Sequence, residues 1–359
     1  MDPHQLMDVS IATIERQQHP SGGYSASPNF AVYRYCWLRD GSFIADAMSR
    51  IGRTASADAY FRWCALLMRA RAGHIASIVE RARHGDPVTD AELLPTRYEL
   101  DGRDGVEPWA NFQLDGYGLM LHTLVAHAQR RGLSLATYGD VIAMTVDYLT
   151  TFGTRPCFDW WEESPEYRHT STLVAVWAGL RAAIASGVLG GDRITAATVT
   201  AAEIEEIVVG DAGRAGHLTK WIGSDDVDGS TLACVIPLGF VAPDHPIAVA
   251  TVDMIRCELA PGGVYRYRGD TFYGGGEWII LTAWLGLVEH ASGDLAAART
   301  RLIWICAQAT ASGFLPEQVS THAQHPEAIA DWQRRWGPVA TPLLWSHAMY
   351  LHLAGVCGI

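Results

Sequence analysis

The stretch GVYRYRGDTFYGGGEWIILTAWLGLVEHA, Gly263 to Ala291, joins two unlike halves. The first, Gly263–Glu277, is an aromatic and charged loop, and 263–273 is the one place where a short hairpin is suggested. The second, 277–291, repeats apolar residues at i, i+3 and i+4 and reads as a helix. Working outward, the same spacing marks about twelve segments: 4–18, 41–52, 55–83, 114–131, 137–152, 170–187, 193–209, 229–240, 246–259, 277–291, 294–312 and 343–355. Their ends carry Gly or Pro and their starts Ser, Thr or Asp. Rich loops precede every second segment and hold Trp37–Asp40, Trp109–Asp115, Asp159–Glu163, Trp221–Asp228, Gly263–Glu277 and Glu317–Pro342. Alternate connections of an up-down helical array lie at one end, so all six loops are expected on one face. Nine of the 13 tryptophans fall in or beside these loops: Trp37, Trp109, Trp160, Trp161, Trp221, Trp278, Trp332, Trp336 and Trp345. A tryptophan-lined cleft is expected; rings that simply cap the core are the alternative. No linker or composition shift divides the chain, which reads as one all-α domain over residues 1–359.

Composition excludes several classes of function. Net charge is -12, and Lys220 is the single lysine among 27 basic residues, so no polybasic face exists for nucleic acid or an anionic membrane. Apolar runs are too short and too interrupted to span a bilayer. Residues 1–18 carry Asp2, Asp8 and Glu15 without a continuous apolar stretch, which is unlike a secretory signal. Seven scattered cysteines without a CxxC pair argue against a disulfide framework and a zinc site and suggest a reduced, cytoplasmic protein. HExxH, GxSxG, GxxxxGK[ST] and EF-hand patterns are missing, and Gly274-Gly275-Gly276 reads as a turn. The 14 histidines lack ligand spacing, with His347 the one whose setting, Trp345-Ser346-His347, invites attention. Neither metal nor organic cofactor is implied.

Two acidic clusters sit among aromatics, where charge is costly to hold. In Phe158-Asp159-Trp160-Trp161-Glu162-Glu163, adjacent carboxylates and flanking indoles disfavour ionisation, which suits Glu162 to act as a general acid. In Gly313-Phe314-Leu315-Pro316-Glu317-Gln318 the lone Glu317 is expected to stay ionised and serve as base. Two carboxyls with separated pKa values, walled by aromatic rings, suit glycosidic bond hydrolysis. Residue types and spacing reach as far as a helical enzyme with a candidate carbohydrate site; either glutamate alone reads more readily as a solvated surface carboxylate.

These segments resemble glycoside hydrolase family 15, the glucoamylase family. The resemblance runs through Tyr33–Asp40, Trp109–Gly116 (Trp109-Ala110-Asn111-Phe112-Gln113-Leu114-Asp115-Gly116), Asp159–Glu163, Gly263–Tyr267, Leu315–Gln318 and Pro342–Ala348, six motifs in order. It implies an (α/α)6 barrel and inversion at the anomeric carbon, with Glu162 as proton donor and Glu317 activating water. By the same carry-over, Arg39 and Asp40 hold the far hydroxyls of a terminal glucose, and Arg266 and Glu163 hold others. Glu163 could instead serve to raise the pKa of the acid. Tyr33 and Trp161 line the reacting ring, and Trp37, Trp109 and Trp278 wall the pocket or the leaving-sugar site. The N-terminal β-sandwich and starch-binding module of other members are not seen, which points to short oligosaccharides as substrate. The Ala26–Phe30 approach and the Ser320–Thr341 loop are similar to the subgroup acting on isomaltose. A maltooligosaccharide glucoamylase, a trehalase and, less readily given Glu317, a sugar phosphorylase stand as alternatives.

Overall fold

The computed structural model describes residues 1–109 and 112–359; Ala110 and Asn111 of the second motif lie outside the described residues. Asp2 caps the first helix by accepting from the backbone N–H groups of His4 and Gln5, and Pro3 occupies its first turn, where a missing N–H costs nothing. The helices of the described residues are α1 Pro3–Gln17, α2 Leu38–Arg50, α3 Thr54–Ala70, α4 Ala72–Arg83, α5 Asp115–Arg131, α6 Gly139–Phe152 and α7 Thr170–Ala185. They continue with α8 Gly191–Ala215, α9 Thr231–Val235, α10 Pro246–Glu258, α11 Ile279–Ala291, α12 Leu295–Gln308, α13 Ile329–Trp336 and α14 Leu344–Val356.

Burial sorts these helices into two rings. In α8 the buried residues are Ala197, Thr200, Ala201, Ile204, Val208, Asp211 and Ala212, a single stripe at helical spacing, as expected of a helix wet on its other face. By contrast, α2 is buried throughout except Arg50, α9 along its whole length, and α14 from Leu344 to Ala354. A helix without a wet face is enclosed by other elements, and the polar residues that α2 buries are paired, Arg39 with Asp115, Asp46 with Arg50 and Arg130, and Ser42 with Tyr60. Contacts close them into a ring, α2–α5–α7–α9–α11–α14 and back to α2, with α1, α3, α4, α6, α8, α10 and α12 outside. The inner helices approach closely where side chains vanish: a Cβ on Gly118 of α5 would lie 2.2 Å from the Ala175 carbonyl oxygen of α7. Gly118→Ala is therefore incompatible with this α5–α7 spacing. The result is an (α/α)6 barrel, and no helix among the described residues is long and apolar enough to cross a membrane.

Local departures from the sequence expectations have identifiable causes. The single helix expected over 55–83 is two, because Arg71 leaves helical geometry (φ -108°, ψ 6°) to donate to the Gly102 carbonyl and lie over the Tyr98 ring. The helix expected over 229–240 shrinks to α9, since Pro237 forces Ile236 into extended backbone. No hairpin forms over 263–273. Val264 instead bridges Trp278, and Arg266 and Tyr267 are consumed by contacts across the barrel mouth. The structure adds α13, inside the long loop, and two tiny antiparallel pairs. β1 (Cys36–Trp37) pairs with β2 (Arg97–Tyr98), and β3 (Glu277–Trp278) with β4 (Gln318–Val319). Each pair ties the loop before an inner helix to a distant loop.

Candidate active site

The loops before α2, α5, α7, α11 and α14 line one cavity of about 390 Å³. All eleven side chains singled out in the sequence line it: Tyr33, Trp37, Arg39, Asp40, Trp109, Trp161, Glu162, Glu163, Arg266, Trp278 and Glu317. The sixth loop, before α9, reaches the wall through Asp228, which accepts from the Trp161 indole N–H at 3.1 and 3.0 Å. Trp221 of that loop is not in the cavity and stacks on Tyr167 instead (4.4 Å between centroids). Trp160 and Trp345 close the inner end by packing with Phe43 and Trp284, so the cavity is blind.

Glu162 sits in a strained turn. Its φ is 66°, and Ser164 follows at 52°, a region that side-chain-bearing residues avoid. Asp159 holds the turn by accepting from the backbone N–H groups of Trp161 (2.9 Å) and Glu163 (2.8 Å). The Glu162 carboxyl accepts from the indole N–H groups of Trp37 (2.6 Å) and Trp109 (2.5 Å) and from the Gln113 amide (3.1 Å). Burial raises its pKa, while Arg39 and these donors pull it down. The expected direction holds, but the leading cause is desolvation and not the neighbouring acids.

Glu317 reverses an expectation. Alone in sequence, it is only 3% exposed, and burial pushes its carboxyl up to about 8 against the opposing pull of Arg266 and the Tyr33 hydroxyl. A carboxyl without acidic neighbours is still costly to ionise when water is excluded. Burial thus raises both carboxyls, and an acid–base pair of this kind works in the state holding one proton between them. Tyr33 feels both: burial, Glu317 and Glu162 together raise its hydroxyl well above the usual range.

His347, on α14, explains how the Glu317 turn is held. The Leu315 N–H donates to His347 Nε2 at 3.0 Å, so that nitrogen is bare and Nδ1–H donates to Ser10 Oγ of α1 at 2.8 Å. Burial pushes this imidazole down to about 3, keeping it neutral. Ser346 Oγ donates to the Pro316 carbonyl (2.8 Å), and the Glu317 N–H to that of Ala340 (3.0 Å). Replacing His347 with alanine leaves a buried N–H without its acceptor, at a cost of about 1–3 kcal/mol. Thermal denaturation should show that loss, and turnover should fall by about tenfold or more as the carboxyl loses its position. Unchanged kcat in a folded H347A variant would dissociate His347 from the Glu317 turn.

The polar walls are built from buried pairs. Arg39 donates to Gln113 (2.7 Å) and Asp115 (3.1 Å) and lies 3.4 Å from Asp40, whose carboxyl burial pushes up to about 7. Arg266 donates to Asp270 (2.7 and 2.5 Å) and to Glu163 (3.2 Å), and the Tyr267 hydroxyl donates to Glu163 at 2.5 Å. Among the described residues, Arg39 Nε, Asp40 Oδ2, Glu317 Oε2 and the indole N–H groups of Trp160, Trp278 and Trp345 are buried without a hydrogen-bond partner. Such groups on a cavity wall suit a ligand rich in hydroxyls. No group of three or more His, Cys, Asp or Glu placed to hold a metal occurs among the described residues.

Gln113, Asp228, Asp270 and Phe272 carry no individual role in the sequence, and Trp332, Trp336 and Trp345 figure there only in the expected tryptophan-lined cleft; all seven line the cavity or hold its walls. Trp332 and Trp336 carried a usable signal, since i, i+4 indoles among charged residues mark the amphipathic α13. Asp228 and Asp270 carried none, because their partners lie on other loops or appear only once the loop folds.

A profile of Glycosyl hydrolases family 15 matches residues 4–294. The isomaltose glucohydrolase of Kribbella flavida is 47% identical over 359 residues, covering 99% of this chain and 93% of that protein. A solved glycosidase in complex with glucose superposes with a TM-score of 0.96 at 46% identity, covering 99% of this chain and 97% of the other. A bacterial glucoamylase complexed with acarbose shares the fold, with a TM-score of 0.73 at 19% identity over 98% of this chain and 55% of that one.

Proposed function

The chain belongs to glycosyl hydrolases family 15, and we propose that it is an exo-acting, inverting α-glucosidase that releases β-glucose from the non-reducing end of short α-1,6-linked glucosides such as isomaltose. The observation that carries this reading is the place of the two glutamates in the ring. Glu162 precedes α7 and Glu317 precedes α14, and these helices stand diametrically opposite in the inner ring. Carboxyls on opposite walls can address opposite faces of one sugar, with room for a water on one side.

Glu162 gives its proton to the glycosidic oxygen as the bond to the anomeric carbon breaks through an oxocarbenium-like transition state. Glu317 takes a proton from water, whose oxygen attacks the opposite face of that carbon. The products are β-glucose and the departing sugar, and the proton gained by Glu317 returns to Glu162 through solvent. Arg39 and Asp40, whose Nε and Oδ2 form a 3.4 Å ion pair and make no hydrogen bond, and the Arg266–Glu163 pair hold the glucose hydroxyls. Tyr33 and Trp161 line the reacting ring, while Trp37, Trp109 and Trp278 wall the pocket. A hexose lacking one hydroxyl would leave a buried partner unmatched and be rejected. The blind inner end accounts for exo action, and a cavity of about 390 Å³ favours short chains. The isomaltose assignment rests on the Kribbella relative. Seven cysteines without a disulfide favour a cytoplasmic setting.

Initial rates on isomaltose, maltose and trehalose, with NMR of the first glucose released, test the reading. Isomaltose should be preferred and β-glucose should appear first. Negligible isomaltose hydrolysis would sink the linkage, and initial α-glucose would sink inversion.

A further inference from the structure

A chain that uses arginine almost everywhere keeps one lysine, and keeps it buried. Lys220 is the single lysine among 27 basic residues and is 6% exposed. It lies in the loop before α9, with its N–H donating to the Asp226 carbonyl (2.8 Å) and its own carbonyl accepting from Thr170 at the start of α7 (3.3 Å). The ammonium is 3.6 Å from Asp228 Oδ2 and 2.9 Å from the centroid of the Tyr267 ring.

That position is directly behind the turn carrying Glu162. Asp228 accepts the Trp161 indole N–H and the Ser230 backbone N–H (2.8 Å). Asp159 accepts the backbone N–H groups on either side of Glu162. Tyr267, beneath the ammonium, donates to Glu163. The groups facing Lys220 are thus Asp228, Asp159 and Tyr267, with His169 and Glu163 beyond them. Burial pushes Asp159 up to about 7, and Lys220 is the leading influence holding it down. A planar guanidinium spreads its charge over a fork that needs room and several acceptors, whereas an ammonium is a compact point charge that fits over a ring face beside a carboxylate.

We infer that Lys220 is a positioning residue for the proton donor: its ammonium, against Asp228 and over the Tyr267 ring, holds the groups that bond Trp161 and Glu163 on either side of Glu162 and so presents Glu162 to the leaving oxygen. The inference rests on the proposed role of Glu162 as proton donor. It predicts a dependence on leaving group. Isomaltose needs a proton delivered to its departing sugar, whereas α-glucosyl fluoride expels weakly basic fluoride with little such help.

The test is kcat and KM of Lys220→Met on both substrates from pH 6 to pH 9. Turnover of isomaltose should fall at least about tenfold near pH 8, with KM little changed and a smaller loss on the fluoride. The deficit should narrow toward pH 6, because there Asp159 holds its proton with or without the cation, whereas near pH 8 it is ionised only beside the ammonium. Lys220→Arg, which retains the charge but not its shape, should show reduced turnover without that pH-dependent recovery. Equal losses on both substrates at every pH, or no loss, would reduce Lys220 to a structural residue and overturn the inference. If Lys220→Met does not fold, Asp159→Asn carries the comparison: a greater loss on isomaltose supports the clamp, and equal losses overturn it. Wild-type protein inactive on isomaltose would count against the proposed substrate alone, since the comparison runs on any α-glucoside the protein cleaves.

Discussion

Glu317→Gln is expected to abolish most activity and to make the protein more stable. Without a base to take the proton from water, hydrolysis of isomaltose and of α-glucosyl fluoride should both fall by at least about a hundredfold, because the attacking water is common to the two reactions. The stability gain follows from the sign of the pKa shift. In the folded chain Glu317 keeps its proton up to about 8, while an unfolded glutamate loses it near the ordinary 4.5. Over that interval the unfolded state binds fewer protons, so stability falls as pH rises. Glutamine removes the penalty. The gain should be near zero at pH 4 and on the order of 2–4 kcal/mol at pH 8, with relaxation around the buried group discounted. Denaturation curves at both pH values, set beside the two assays, decide the matter. A variant no more stable at pH 8 than wild type would show that the ionised carboxylate is well solvated, and retained hydrolysis would remove Glu317 from the reaction.

Glu162→Gln should separate the two glutamates. Isomaltose hydrolysis loses its proton donor and should fall by about 10² to 10⁴-fold. Hydrolysis of α-glucosyl fluoride should fall far less. Glutamine keeps one oxygen, able to accept from Trp37 and Gln113, while its amide nitrogen faces the Trp109 indole N–H, donor against donor, so a modest rise in KM is expected beside the fall in kcat. The contrast matters because burial raises both carboxyls in the free protein, and resting ionisation does not by itself say which is the acid. Equal losses on the two substrates in Glu162→Gln, with a selective loss in Glu317→Gln, would exchange the roles.

The fold was legible to a large extent because it is written in local chemistry. The inner helices α11 and α14 are apolar over most of their surface, and the outer helices α8 and α12 bury a single stripe. Rich loops before alternate helices placed the aromatic and acidic residues at one end, where the cavity lies. Misreadings fell where distant contacts overrule spacing. Arg71 interrupts a continuous periodicity because Gly102 and Tyr98 hold its guanidinium, and the Arg266–Tyr267 segment forgoes a hairpin for Asp270 and Glu163.

The chain's own pattern of residues thus determined the helices, their alternation and the face on which the loops gather, since a 3.6-residue stripe and a Gly or Pro stop act over a few residues. Tertiary structure alone decided the charge states and the supports. Glu317 reads as a lone, readily ionised acid until the barrel removes its water, and Lys220 reads as an ordinary basic residue until Asp228, Tyr267 and Asp159 surround it. Desolvation and ion pairing depend on what folds over a group from elsewhere in the chain, and Glu162 and its donor Trp37 stand 125 residues apart.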